Sequence, residues 1–381
     1  MNELYQARKQ DILLTTNHKL PKHVPVVSNL VTWPAAYRKQ KMADLYEDPD
    51  LYVRTMSSVY DDIYADCYFS VGVSPNIPAY DLLGSKTFFI SSDGTTMQHK
   101  QDCKMLASDY DALIGDPVKF MVNVLAPRRY PNLNDTRENV KKLLIKVLKQ
   151  IAKFRGANKA LNETVKNKYN ILPLRSGTTM VSPFDIIFDR LRGFQNTLVD
   201  VRRYSDKLLA ATKALAPKYM APIQKINFEY PFVGATPHAP TYLGAKNFEK
   251  FYWPTYKAMI IAIAEKGSKA MINLEGKWRS LYPLLLDMPQ SSIVGIVEED
   301  DPFEAKKLIG DRFTIISGVP THYIKYKTKQ ECLDYAKKVI DELAPGGGFM
   351  FSTEKNLLSL TDVNVENYIA LQEFVHEYGK Y

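Results

Sequence analysis

Short apolar runs alternate with helix-patterned segments along most of this 381-residue chain, and that alternation constrains the fold more than any other feature. The apolar runs are Val24–Leu30, Ala65–Val73, Ile171–Leu174, Ile223–Tyr230, Lys269–Leu274, Ile293–Val297, Phe313–Ser317 and Gly348–Ser352. Between and after them, 38–62, 136–167, Ser182–Arg192, Asn196–Leu215, Asn247–Glu265, Asp301–Leu308, Thr328–Leu343 and Val365–Tyr378 carry helical spacing. Strands alternating with helices predict a parallel sheet, because each helix crosses a sheet face between neighbouring strands. The number of units predicts an α/β fold closed as a single (β/α)8 TIM-type barrel over 1–381. Residues 1–23 read as an N-terminal helical extension. Thr87–Ile90 faces Thr95–Met97 across Asp93-Gly94, so a β-hairpin insertion is expected near 84–100. Thr328 and Glu331 form a capping-box signature before a stripe of Cys332, Tyr335, Ala336, Val339, Ile340 and Leu343. The long helix is expected to bury Val140, Leu143, Leu144, Val147, Leu148 and Ile151.

Composition narrows the function classes. Fifty Lys and Arg against 42 Asp and Glu leave a net charge of +8, spread among acids without a basic run, so no nucleic-acid partner is expected. The longest apolar run, Ala258–Ala264, falls far short of the ~20 residues a membrane helix needs. Three cysteines without metal-type spacing, and no leader-like apolar segment, suit a cytoplasmic protein. Cys67 and Cys332 read as packing, and His18, His23 and His376 as solvated surface.

Barrels of this kind place chemistry at the C-terminal strand ends. Three successive runs end near Glu275, Glu298 and His322. Two carboxylates and an imidazole could ligate one zinc ion and leave a position open. The same spacing is met by rim residues satisfied by water or arginine. His238, in the stiff Pro237-His238-Ala239-Pro240 loop, reads either as loop packing or as a substrate contact or proton donor. Trp33, Tyr37, Tyr230, Phe232 and Asn273 lie at run ends; singly the aromatics read as core, and together they permit a substrate pocket.

Gly346–Ser352, Asn364–Tyr368 and Tyr378–Tyr381 resemble the C-terminus of the uroporphyrinogen decarboxylase superfamily. Pro183–Asp185 through Asp189–Gly193 resembles the Leu-Arg-Gly segment of its cobamide-dependent methyltransferase branch, and Gly310–Arg312 through Gly318–Pro320 its penultimate strand and turn. Departures from the family matter. The stretch Thr32–Tyr37 lacks the arginines that clamp propionates in the decarboxylases. Phe69–Ser74 lacks their acid. The methyltransferases' His-x-Cys and later Cys are matched by Asn273-Leu274-Glu275 and Thr353-Glu354-Lys355, so both thiolates are missing.

The resemblance implies an enzyme that moves methyl from a small molecule to the cobalt of a corrinoid protein; the missing thiolates point to a methoxylated donor, and the aromatics at the run ends to an aromatic one. Catalysis would fall to His238 and Glu275. Zinc would be held by oxygen and nitrogen ligands, Glu275, Glu298 and His322, as a Lewis acid on the ether oxygen. Without zinc, His238 or a glutamate would protonate that oxygen as a general acid. The corrinoid would come from a partner protein, and a homodimer is compatible. A divergent decarboxylase and a non-catalytic corrinoid- or substrate-binding barrel are the alternatives.

Overall fold

The computed structural model describes residues 2–73, 75–226 and 232–381. It is a mixed α/β fold built on parallel strands. Strands β1 (Val27–Leu30), β2 (Cys67–Val71) and β5 (Leu172–Pro173) form one parallel sheet in the order β1-β2-β5. Strands β6 (Arg175–Thr179), β7 (Phe232–Ala235), β8 (Lys269–Leu274), β9 (Ile293–Val297), β10 (Thr314–Ser317) and β11 (Phe349–Phe351) form a second parallel sheet in chain order. Only Leu174 separates β5 from β6. At the opposite edge Val26 bridges Phe351 in parallel, and the Phe351 N–H donates to the Pro25 carbonyl at 2.9 Å. Hydrogen bonding or chain continuity thus joins both pairs of sheet edges.

The expected hairpin is present as antiparallel β3 (Phe88–Ile90) and β4 (Met97–His99). Within the β9 run, Ile293-Val294-Gly295-Ile296-Val297, every residue is buried, as a strand covered on both faces requires. Alternate residues point to opposite faces. One set, with Val27, Phe69, Phe232, Met271, Val294, Ile296, Ile316 and Met350, packs into an inner cluster. The other set meets the surrounding helices in a larger cluster. The N-terminal helix Glu3–Thr16 supplies Tyr5 and Ile12 to the inner cluster, so it covers the end where the strands begin.

Helix signals behave as local chemistry dictates. Thr328 and Glu331 make the reciprocal capping box of helix Lys329–Leu343, whose Cys332, Ala336, Val339, Ile340 and Leu343 are buried. Asp301 caps helix Pro302–Ile309 through the N–H groups of Phe303 and Glu304.

Three expectations are corrected. The run Ile223–Tyr230 is not one strand: helix Ser205–Gln224 continues through Ile223, and the strand is Phe232–Ala235. Leu208, Thr212, Leu215 and Ile223 share its buried face, so helical periodicity outweighs the two prolines inside it. Part of that run, 227–230, lies outside the described residues. The segment 196–215 is two helices that break at Tyr204. In helix Arg137–Tyr169 the expected core residues Leu144 and Leu148 are 42% and 63% exposed. That helix packs through Ala157, Leu161 and Val165 in its C-terminal half, which leaves most of its first half without a core to cover.

Candidate functional site

Walking up the inward face of each strand leads from the inner cluster to polar residues at the C-terminal ends. Met271 is followed on its face by Asn273 and then Glu275, and Ile296 by Glu298. The His238 loop follows β7 and brings its imidazole to the same place.

The His238 ring lies between two carboxylates. Its Nδ1 is 2.8 Å from Asp189 Oδ2, and its Nε2 is 3.6 Å from Glu275 Oε2. The hydrogen bond to Asp189 and the charges of Asp189, Glu275 and Asp185 outweigh burial and raise the His238 pKa to about 9. The imidazole is therefore protonated at neutral pH. Burial pushes the Glu275 carboxyl up, although His238 opposes this.

Beneath the loop sits Asp185, almost fully buried. Its Oδ1 accepts the backbone N–H groups of His238 (3.3 Å) and Ala239 (3.0 Å), and its Oδ2 accepts the Tyr252 hydroxyl at 2.6 Å. Asp185 thus fixes the backbone that carries the imidazole. Burial first, then repulsion from Asp189, raises its pKa to about 7.

Glu298 accepts the Gly276 N–H at 2.8 Å and approaches Lys355 Nζ at 3.6 Å. Gly276 has φ of +78°, a left-handed conformation that suits glycine, and this lets the chain turn its N–H towards Glu298. Arg175 opens β6 and reaches over Gly234 of β7 towards Phe69 of the inner cluster. Its guanidinium lies 4.8 Å from the Phe69 ring centre, and a Cβ on Gly234 would stand 2.3 Å from its Cδ.

The structure sorts the expected site residues. His238 and Glu275 come together, and Asn273 and Glu298 lie at the same strand ends. His322 does not join them. Among the described residues, the sole set of three His, Cys, Asp or Glu ligand atoms within 4.8 Å of one another is His23, Asp66 and His376, so Glu275, Glu298 and His322 do not converge. The reason is local. After Gly318-Val319-Pro320 the chain enters helix Thr321–Tyr326 at once, and Glu354 anchors its first residue by accepting the Thr321 N–H and hydroxyl at 2.8 Å. That leaves His322 exposed, edge-on to Tyr323.

The expected aromatic pocket is corrected too. Trp33 is fully buried, stacked on Tyr37 at 4.7 Å and edge-on to Tyr368, so it packs between helices. The Tyr37 hydroxyl donates to Asp62. Phe232 belongs to the inner cluster, below the strand ends. Tyr230 lies outside the described residues. His23 and His376, expected on the surface, are half-buried together at the other end of the strands.

Sequence reasoning missed Asp185 and Asp189. Asp185 and Asp189 sit four apart on one helical turn, which was the available signal for a paired carboxylate face.

No family model matches the chain, and no curated protein matches it by sequence. Its fold is similar to that of a solved structure, a methyltransferase from Methanosarcina mazei, at 13% identity over 97% of this chain and 98% of that chain, with a TM-score of 0.64. That likeness shows a shared fold spanning nearly the full length of both chains.

Proposed function

We propose that the chain is an α/β barrel enzyme that demethylates a methoxylated aromatic small molecule, with His238 as the acid that protonates the departing oxygen. The joined edges of the two parallel sheets fit an eight-stranded ring, with β5 and β6 as one interrupted strand. The fold likeness to a methyltransferase and the sequence resemblance both support methyl transfer.

The observation that carries the reading is the Asp189–His238–Glu275 row at the strand ends. A methyl ether reacts poorly because alkoxide and phenoxide leave badly. Protonation of the ether oxygen as the C–O bond breaks converts the leaving group into a neutral alcohol or phenol. A phenol has a pKa of about 10, as tyrosine does. His238, at about 9, therefore gives its proton to a phenolate downhill by about one unit. Asp189 keeps the ring charged and oriented. Glu275, 3.6 Å from Nε2, leaves that nitrogen free to reach an oxygen placed between them. A corrinoid carried by a second protein would supply the nucleophile that accepts the methyl group.

The test mixes the purified chain with 2-methoxyphenol and reduced free cobalamin and follows methylcobalamin by absorbance. The expected result is methyl transfer that His238→Gln slows by at least about 100-fold, with a rate that falls as pH rises through about 9. No methylcobalamin, or full activity in His238→Gln, would refute the reading. Zinc held by Glu275, Glu298 and His322 would supply Lewis-acid assistance instead. His322 must then turn inward, so His322→Ala separates the two: unchanged turnover favours His238, lost turnover favours zinc.

A further inference from the structure

At the opposite end of the strands, where β1 and β2 begin, a second polar cluster has no part in this chemistry. Asp66 precedes β2 and is almost fully buried. Its Oδ2 accepts the Val26 N–H at 2.9 Å, and its Oδ1 accepts the Tyr64 hydroxyl at 2.5 Å and pairs with Arg8 Nε at 3.0 Å. His23 comes from the segment after the N-terminal helix. Its Nε2 faces Asp66 Oδ1 at 3.7 Å, and its Nδ1 faces Asp11 Oδ2 at 3.6 Å. His376 comes from the last turn of the C-terminal helix. It stands edge-on to His23 at 5.5 Å and stacks on Tyr64 at 3.9 Å.

Two details set this cluster apart from a finished hydrogen-bond network. His376 Nδ1 and Asp11 Oδ2 are buried without a hydrogen-bond partner. Both His23 contacts, at 3.6 and 3.7 Å, are too long for hydrogen bonds. A buried polar atom without a partner has lost its water and gained nothing in return, so such atoms call for an occupant.

We propose that His23, Asp66 and His376 form a structural site for one divalent transition-metal ion, best suited to zinc. One ligand atom from each of the three lies within 4.8 Å of the others. Metal bonds of about 2.0–2.2 Å place tetrahedral ligands about 3.3–3.6 Å apart. The His23–Asp66 spacing is nearly there already, and a small inward movement of His376 completes the set. Two imidazole nitrogens and one carboxylate oxygen match zinc's preference, with a fourth position for water. Asp11 would hold the far side of the His23 ring, and Arg8 and Tyr64 would hold the Asp66 carboxylate, as outer partners do in metal sites. Asp66 and Asp11 both face the His23 ring, and Arg8 pairs with Asp66. The ion would tie the N-terminal segment, the start of β2 and the C-terminal helix together. The chain termini already meet here through the His23–Lys380 bridge and the 2.7 Å bond from Val24 N–H to the Gly379 carbonyl.

The test is calorimetric titration of chelator-treated full-length chain with zinc sulfate, alongside the visible spectrum of the cobalt(II)-loaded chain. We expect one ion per chain, a melting temperature that rises with zinc, and cobalt bands of a four- or five-coordinate N/O site. His23→Ala and His376→Ala should each weaken binding at least about 100-fold, since losing even an outer partner costs 10–100-fold. His322→Ala should leave binding unchanged. Because the cobalt spectrum needs no substitution, it reports the donor set even if a variant misfolds, and His322→Ala then tells this site from the strand-end one. No binding at 100-fold excess zinc, binding that survives both histidine substitutions, or binding lost only in His322→Ala would overturn the proposal.

Discussion

Replacing Asp189 with asparagine should bring the His238 pKa down from about 9. Asp189 holds the charged ring through a hydrogen bond at 2.8 Å and through its own charge, while the more distant charges of Glu275 and Asp185 add less. The gap between the ordinary 6.5 and about 9 corresponds to roughly 3 kcal/mol at 1.36 kcal/mol per unit. The His238 side chain is 46% exposed, so solvent screening reduces its share of stability to about 1 kcal/mol. Because the folded pKa lies above the unfolded one, this stabilisation is complete below pH 6.5 and fades as pH rises through about 9. The assay is NMR titration of ring-labelled histidine, tractable because the chain has six histidines, paired with urea unfolding from pH 6 to 10. The wild type should show one imidazole titrating near pH 9 that moves down in Asp189→Asn, and the stability difference between the two should shrink by about 1 kcal/mol over that range. A wild-type His238 titrating near 6.5, or one that stays near 9 without Asp189, would refute the reasoning.

Further outcomes follow from the packing. The folded pKa of Asp185 lies above its ordinary value, so its carboxyl destabilises the fold increasingly as pH rises from 3.8 through about 7. Asp185→Asn, whose amide oxygen can still accept the two backbone N–H groups, should therefore gain about 2–4 kcal/mol on the wild type between pH 4 and 8, read by urea unfolding. Asp200 is buried and accepts the Tyr110 hydroxyl at 2.8 Å and the Arg192 guanidinium at 2.7 Å. Asp200→Ala should cost about 3–5 kcal/mol by denaturant titration, because it strands a partly buried cation. A Cβ on Gly318 would stand 2.0 Å from the Ser352 carbonyl oxygen. Gly318→Ala should push β10 and β11 apart and cost about 1–3 kcal/mol in the same measurement.

The alternation of apolar runs and helical segments, the Thr328–Glu331 capping box and the hairpin turn were legible because each is a property of neighbouring residues. Ile293–Val297 reads as a strand buried on both faces wherever it occurs, and Thr328 with Glu331 starts a helix by local hydrogen bonds alone. Glu275 follows the strand that the pattern gave, Lys269–Leu274, whereas the run expected to lead to His238 is not its strand, which is Phe232–Ala235. What stands opposite a residue was not legible in the pattern. Leu144 and Leu148 repeat with core spacing, but only packing shows that no element covers them. Trp33 ends a strand as a pocket residue would, yet Tyr368, more than 300 positions away, closes over it. His322 follows its strand as a ligand would, yet Glu354 fixes its helix and turns it outward. His23 and His376 meet across almost the whole chain length. Periodicity reports which face of an element is apolar, whereas the partner across that face is set by loop closure and packing among distant segments, and the charge state of His238 depends on that partner.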